Sequence, residues 1–353
     1  MKGLLIDWLT LRIPLDDNLS PALFSRVREA KLSIHCCNVD GEIVWQKQTL
    51  DFDALRSDTV GLCWQVQGDG IRYYLVIGGS PASIEHGINV FGDLDIRKSA
   101  SLLIGVAQKA LSSILPSIDS WQCRRIDITG NYLLPDAMSV KHALRMLMNT
   151  DAARRKASSS KKGGDTVIWQ ANSDLSKGKA YHKGPQLAYL CRKKHVSITV
   201  EQLEMSDRIL RLEHTRGARW FRREEAAGRR WQDLTPEALV ALYCDFFGKL
   251  LSGSVEIKDM NRDYIIERLI ADVGLTEGMS NSVFTTLRNI REDGFDVVKS
   301  FMPKATFYRH MKYLRAIGIT DGDMNIAKII PLRPVKIILA QPVASWAEIR
   351  RAA

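Results

Sequence analysis

A chain of 353 residues, 45% of them hydrophobic, can build two domains with a core in each. No run of 18 apolar residues occurs, and the opening "MKGLLIDWLTLRIPLDD" sets an acid and an arginine where a signal peptide needs apolar residues. The expectation is a chain with no membrane partner that stays in the cytoplasm. Its net charge of +10 is concentrated: residues 151–230 carry 19 Lys and Arg against 9 Asp and Glu, and the segments on either side are nearly neutral.

The first 135 residues read as mostly strand. "LLIDWLTLRI" (4–13), "VGLCWQV" (60–66), "IRYYLVIGG" (71–79) and "CRRIDITGNYLL" (123–134) are rich in β-branched and aromatic residues, with Asp69-Gly70 as a hairpin turn. Residues 96–115 have helical spacing behind Asp95 as N-cap, and 137–149 predict a second helix. The six cysteines (Cys36, Cys37, Cys63, Cys123, Cys191, Cys244) include no CxxC pair and read as reduced thiols.

Composition then changes. "AARRKASSSKKGGD" (152–165) reads as an exposed loop, with Arg154, Arg155, Lys161 and Lys162 able to meet phosphates. Strands are expected at 166–171 and 208–216, on either side of Tyr181. In "EHTRGARWFRREEAAGRRW" (213–231), Arg216, Arg219, Arg222 and Arg223 alternate with Trp220 and Phe221, a pattern for gripping phosphates and stacking on unpaired bases. A salt-bridged helix face using Glu224 and Glu225 has the same sequence.

Thr235-Pro236 starts a helix over 235–251. In "SFMPKATFYRHMKYLRAIGI" (300–319), Phe307, Met311, Leu314 and Ile317 recur at helical spacing, and Lys304, Arg309, Lys312 and Arg315 fall outside that stripe. With a helix near 281–292 before it and the strand-like 329–339 after it, the order is that of a winged helix-turn-helix, with a plain helical bundle as the alternative. The predicted fold is α+β: a catalytic domain over 1–230 with a central antiparallel sheet flanked by helices, a connecting helix over 231–255, and a mainly helical, winged-helix-like DNA-binding domain over 256–353.

Two strands repeat one arrangement. Arg125, Asp127 and Thr129 share a polar strand face, as do Arg211, Glu213 and Thr215. If the strands are neighbours, Asp127 and Glu213 can converge on a magnesium or manganese ion, with Asp7 as a third ligand; alternatively, the acids pair with the adjacent arginines. Tyr181 is the candidate nucleophile, and Lys183 the cation that lowers the cost of a phenolate or of transition-state charge. No HExxH, paired-histidine or GK[ST] loop is present, so histidine-metal and ATP chemistry are not supported.

Taken together, "IDWLTLRIP", "SPASIEHGINVFG", "RRID", "TVIWQANS", "AYHKGPQL", "LRLEHTR" and "MPKATFYRHMKYLRAIGI" resemble, in order and spacing, the gene II replication initiators of filamentous bacteriophages. The resemblance covers nearly the full length. It implies a rolling-circle initiator that nicks one strand of supercoiled double-stranded origin DNA through a tyrosine linked to the 5′ phosphate, then rejoins the displaced single strand into a circle. By position it assigns the nucleophile to Tyr181, its lysine to Lys183, and the acidic positions to Asp127, Glu213 and Asp7. It also implies partners in the host replication helicase and polymerase, and work in the cytoplasm of a bacterial host. His86 precedes Gly87, where the family pattern has the histidine after the glycine, so His86 is given no role. The competing expectations are a non-catalytic origin-binding repressor or accessory protein, and a metal-dependent nuclease with no covalent intermediate.

Overall fold

The computed structural model describes residues 3–15, 23, 25, 33–49, 51–53, 55, 56, 59, 61–148, 157–159, 166–193, 196–252, 262–317, 319 and 342–351. Strand-forming sequence in the first two thirds of the chain builds one sheet from β1 (Leu4–Pro14), β2 (Ser33–Cys37), β3 (Ile43–Gln48), β4 (Leu62–Gly68), β5 (Tyr73–Gly79), β6 (Gln122–Leu133), β7 (Ala157–Ser159), β8 (Thr166–Trp169), β9 (Ser176–His182) and β10 (Ile209–Arg216). Their order is β3-β2-β4-β5-β1-β6-β10-β9-β8-β7, antiparallel throughout. The α+β class expected from sequence is therefore the observed one. The β4–β5 hairpin turns where Asp69 Oδ1 accepts from the amides of Ile71 (3.0 Å) and Arg72 (2.8 Å), with Gly70 at φ 91°.

Two helices cover the apolar side. The helix Ile96–Leu111 starts at Asp95, whose side chain accepts from the Lys98 amide at 2.9 Å, and buries Leu103 and Ala107. The helix Pro236–Ser252 starts behind Thr235, which accepts from the Ala238 amide at 3.2 Å. It stacks Phe246 on His214 of β10 (ring centroids 4.4 Å) and sets Phe247 edge-on to Trp169 of β8. Tyr243, Phe246 and Phe247 are each at most 2% exposed, and burial of such a side chain contributes about 1.5–3 kcal/mol. Beneath Phe246, β9 must be small: a Cβ at Gly178 would lie 2.2 Å from the phenyl ring.

The fold divides into two compact units, Met1–Leu144 with Arg155–Lys249 and Leu339–Ala353, and Arg145–Arg154 with Leu250–Ile338. The second contains the helices Arg262–Val273, Glu277–Asp293, Phe295–Phe301 and Lys304–Ala316. Ile265, Leu269, Val283, Leu287, Phe307, Met311 and Leu314 form its core, so the stripe read at 307, 311 and 314 is an interior face. Within 300–319 the stripe lies on the helix Lys304–Ala316, which is separated from Phe295–Phe301 because Pro303 lacks an amide and holds Met302 extended (φ −89°, ψ 142°). The strand expected at 329–339 lies outside the described residues. Of the loop expected at 152–165, Ala157–Ser159 is strand paired with Val167–Trp169, and Arg154, Arg155, Lys161 and Lys162 lie outside the described residues. All six cysteines are free thiols.

Candidate active site on the polar face of the sheet

Cross-strand register fixes which side chains share a face, because directly opposed residues point the same way. Across β9, β10 and β6 the partners run Tyr181–Arg211–Asn131, Lys179–Glu213–Thr129 and Lys177–Thr215–Asp127. Nine polar side chains thus form three rows on one face. The intervening Gly178, Ala180, Leu212, His214, Ile126 and Ile128 face the helix-covered side. β1 joins this face through a β-bulge: Ile6 opposes Ile128 and Trp8 opposes Asp127, leaving Asp7 as the extra residue. The bulge breaks the alternation, and Asp7 reaches Arg211 at 2.5 Å from the same face as Trp8.

Tyr181 and Glu213 meet at the centre. The phenol donates to Glu213 Oε1 at 2.7 Å. Lys179 Nζ lies 3.4 Å from Glu213 Oε2 and 4.2 Å from the Tyr181 ring centroid, and Arg211 Nε lies 3.3 Å from Glu213 Oε1. Burial alone would raise the Glu213 carboxyl, but Lys179 and Arg211 outweigh it and hold the group well below the usual carboxylate range. Burial pushes the Tyr181 phenol well above its ordinary value; Arg211 opposes this, and the charge of Glu213 reinforces it. Tyr181 is 5% exposed, so in this state it is a neutral donor facing an ionised acceptor.

A loop completes the cluster. After the helix Pro81–His86, Gly87 takes a left-handed conformation (φ 75°) and the chain delivers Asn89 into the site. Asn89 Nδ2 donates to Asp7 Oδ1 at 2.9 Å, its Oδ1 accepts from Lys183 Nζ at 2.8 Å, and its carbonyl accepts from Arg211 at 2.6 Å. Burial pushes the Asp7 carboxyl up to about 6 against the pull of Arg211, and Asp7 Oδ2 is buried with no hydrogen-bond partner among the described residues. Lys183, fully buried at the start of the helix Lys183–Arg192, is held by Asn89; the lysine over the tyrosine ring is Lys179.

The structure brings Tyr181, Glu213, Asp7 and Lys183 together and gives Asp127 different company. Arg125 grips both Asp127 oxygens (2.9 and 2.5 Å), and Thr215 donates to one of them at 2.8 Å. Among the described residues, no three His, Cys, Asp or Glu side chains are grouped so as to hold a metal ion. Sequence reading missed Lys179 and Asn89. Lys179 was recoverable, since it lies two residues before Tyr181 on what proves to be a strand, whereas Asn89 sits in a loop with no periodicity to expose it. Of the side chains expected to meet DNA, Arg219, Arg222 and Arg223 are exposed on the helix Ala218–Ala226, and Arg216 is half-buried with its guanidinium 5.5 Å from the Trp220 ring centroid. Lys304, Arg309 and Lys312 are exposed on the helix Lys304–Ala316, beside the exposed Tyr308.

Known proteins resemble this chain in sequence over most of its length. The replication-associated protein (gene II product) of Salmonella phage IKe is 21% identical, with 97% of this chain and 96% of that protein aligned. Those of Enterobacteria phages fd and f1 are each 24% identical over 84% of this chain and 82% of theirs. A solved rolling circle replication initiator protein from Geobacillus stearothermophilus aligns with 74% of this chain and 90% of its own at 10% identity and a TM-score of 0.33, too low for the fold to be argued from it. The family model for the N-terminal part of this phage replication-associated protein matches residues 5–234, well over half of the chain, and the chain belongs to that family.

Proposed function

We propose that the protein initiates rolling-circle replication of phage DNA in the cytoplasm of a bacterial host, nicking one strand of supercoiled origin DNA with Tyr181 and later rejoining the displaced strand. The observation that carries this reading is the 2.7 Å hydrogen bond from the Tyr181 hydroxyl to an ionised carboxylate, flanked by Lys179 and Arg211. That spacing lies within reach for general-base transfer. The phenol is far less acidic than the carboxyl, so a free phenolate does not accumulate. The proton moves to Glu213 as the oxygen bonds to phosphorus, and Lys179 and Arg211 offset the charge gathering on the phosphoryl oxygens. Attack forms the tyrosine-5′-phosphate bond and breaks the bond from phosphorus to the 3′ oxygen, which takes up the proton released through Glu213 and leaves as the hydroxyl that primes synthesis. The reverse reaction reseals without ATP, because the phosphodiester energy is retained in the protein link.

Buried Lys183 acts within this reading as a fixed positive charge behind Asn89. Among the described residues, the oxygen of Asp7, Asp127 and Glu213 that a magnesium or manganese ion would find buried and unpartnered is Asp7 Oδ2. Asp127 and Glu213 would join it only by giving up Arg125 and Arg211, so in this arrangement the carboxylates do not fit a metal ion. We assign the helices from Arg262–Val273 to Lys304–Ala316 to duplex binding, through Lys304–Ala316, and expect host helicase and polymerase to act on the nicked product.

Tyr181→Phe tests the assignment. Incubated with supercoiled origin DNA, the variant is expected to bind at wild-type strength and to yield no protein-linked DNA on phenol extraction. A full-strength adduct from the variant would overturn it, and wild-type binding without any nick would favour the repressor reading.

A further inference from the structure

Where β6 begins and β10 ends, the first unit holds a cleft of about 620 Å³ walled by Trp121, Trp220, Phe221 and Trp231. Trp121, Phe221 and Trp231 are nearly buried, and Trp231 Nε1 donates to the Trp121 carbonyl at 2.8 Å, so three rings are held in place. Trp220 is half-buried, edge-on to Phe221 with centroids 4.9 Å apart and backed by Arg216. The cations at the mouth are already engaged: Arg229 pairs with Glu224 (3.0 Å) and Arg230 with Asp119 (2.6 Å). A phosphate would have to break these pairs and face the carboxylates. The carboxylate of Glu225, also on the wall, makes no hydrogen bond or ion pair among the described residues.

Aromatic walls, an available carboxylate acceptor and a volume in the range of small-molecule sites suit a flat heterocycle with N–H donors on its edge. We propose that the cleft takes one unpaired base of the DNA strand, stacked on Trp220 and recognised through an amino group by Glu225. The proposal rests on the reading of the protein as an enzyme of single-strand cleavage. From Arg211, which opposes Tyr181, to Arg216 beside the cleft, β10 spans about 17 Å; Lys177 and Lys179 stand in the rows between on the face of Tyr181, and Arg216 points to the other side, so the DNA strand would round the end of β10 to reach the cleft. The base would be held a few nucleotides from the phosphate that reaches Tyr181, and would set the register of cleavage. Adenine, cytosine and guanine carry an amino donor; thymine does not.

The test uses the full chain and a single-stranded oligothymidylate with one central 2-aminopurine, whose fluorescence falls on stacking. Wild type and Tyr181→Phe are expected to quench it severalfold, Trp220→Phe to retain the quench, Trp220→Ala to lose it, and Glu225→Gln to weaken binding relative to plain oligothymidylate. Covalent adduct with origin DNA is measured on the same preparations. Equal quenching by wild type and Trp220→Ala, or no quenching by a wild type that forms adduct, overturns the cleft assignment and leaves Tyr181 untouched. Quenching that depends on Trp220 without any adduct supports the cleft and sinks the cleavage reading alone.

Discussion

Asp127 and Glu213 occupy the same place in two copies of an Arg-x-acid-x-Thr strand, one on β6 and one on β10, and the fold gives them opposite fates. Asp127 is gripped at both oxygens by the arginine two residues before it, with Thr215 filling a further site. Glu213 also meets the arginine two residues before it, but only at 3.3 Å, because Arg211 is shared with Asp7 across the sheet. That sharing leaves Glu213 able to accept the Tyr181 hydroxyl. One acid is a closed ion pair and the other is an acceptor with an ionisable partner. The shared local pattern therefore fixes the face a carboxylate points to, whereas the neighbouring strand decides whether it can do chemistry.

The largest expected break in this comparison comes from paired substitutions at the two acids. Glu213→Gln should lower adduct formation by about 10²–10⁴-fold, the range for loss of a positioned base, with DNA binding retained. Asp127→Asn should keep cleavage within about tenfold and instead cost about 2 kcal/mol in chemical denaturation, since it leaves Arg125 partly uncompensated. The reverse pattern would move the chemistry to Asp127. Arg211→Met tests the sharing itself: stranding buried Asp7 should destabilise the fold by about 3–5 kcal/mol, and adding Asp7→Asn should recover part of that loss. Strict additivity of the two changes would mean that the residues do not interact.

A smaller effect separates the acids by pH. Asp7, raised to about 6, holds its proton longer in the folded chain than in the unfolded one, so it lowers stability as pH rises from about 4 to about 6. Glu213, depressed, has the opposite sign: its contribution is present above the unfolded carboxylate range and is lost as pH falls. Asp7→Asn should therefore steepen the rise of melting temperature between pH 4 and 6, and an unchanged slope would place Asp7 at an ordinary acidity. The smallest expected effect is remote from both acids. Replacing Lys304, Arg309 and Lys312 with alanine should flatten the log–log salt dependence of duplex binding by about 0.9 for each phosphate no longer neutralised. A slope equal to wild type would remove that helix from the interface.

Strand-face alternation made the positions of Asp127, Glu213 and Arg211 legible before any coordinates, because a period of two is written directly into "RRIDITG" and "LRLEHTR". Tyr181 was legible as a residue, but its strand was not: "SKGKAYH" has no β-branched residue, and Gly178 is kept small by Phe246 from a helix more than sixty residues later. Asp7 was placed on a strand, yet plain alternation puts it opposite Trp8, and only pairing with β6 reveals the bulge. Asn89 depends wholly on tertiary placement. In each case the missing information was the identity of a neighbour distant in sequence.

The bulge at Asp7 makes the count of residues in β1 as important as their identity. Remove one residue between Ile6 and Leu9 and the strand regains perfect alternation, with Ile6 and Leu9 keeping their faces and one side chain instead of two pointing to the polar face between them. Point changes at Trp8 or Leu9 would be local injuries. A single-residue deletion there would close the bulge, and if Asp7 is the residue lost, Arg211 loses that partner while Tyr181 and Glu213 are still present.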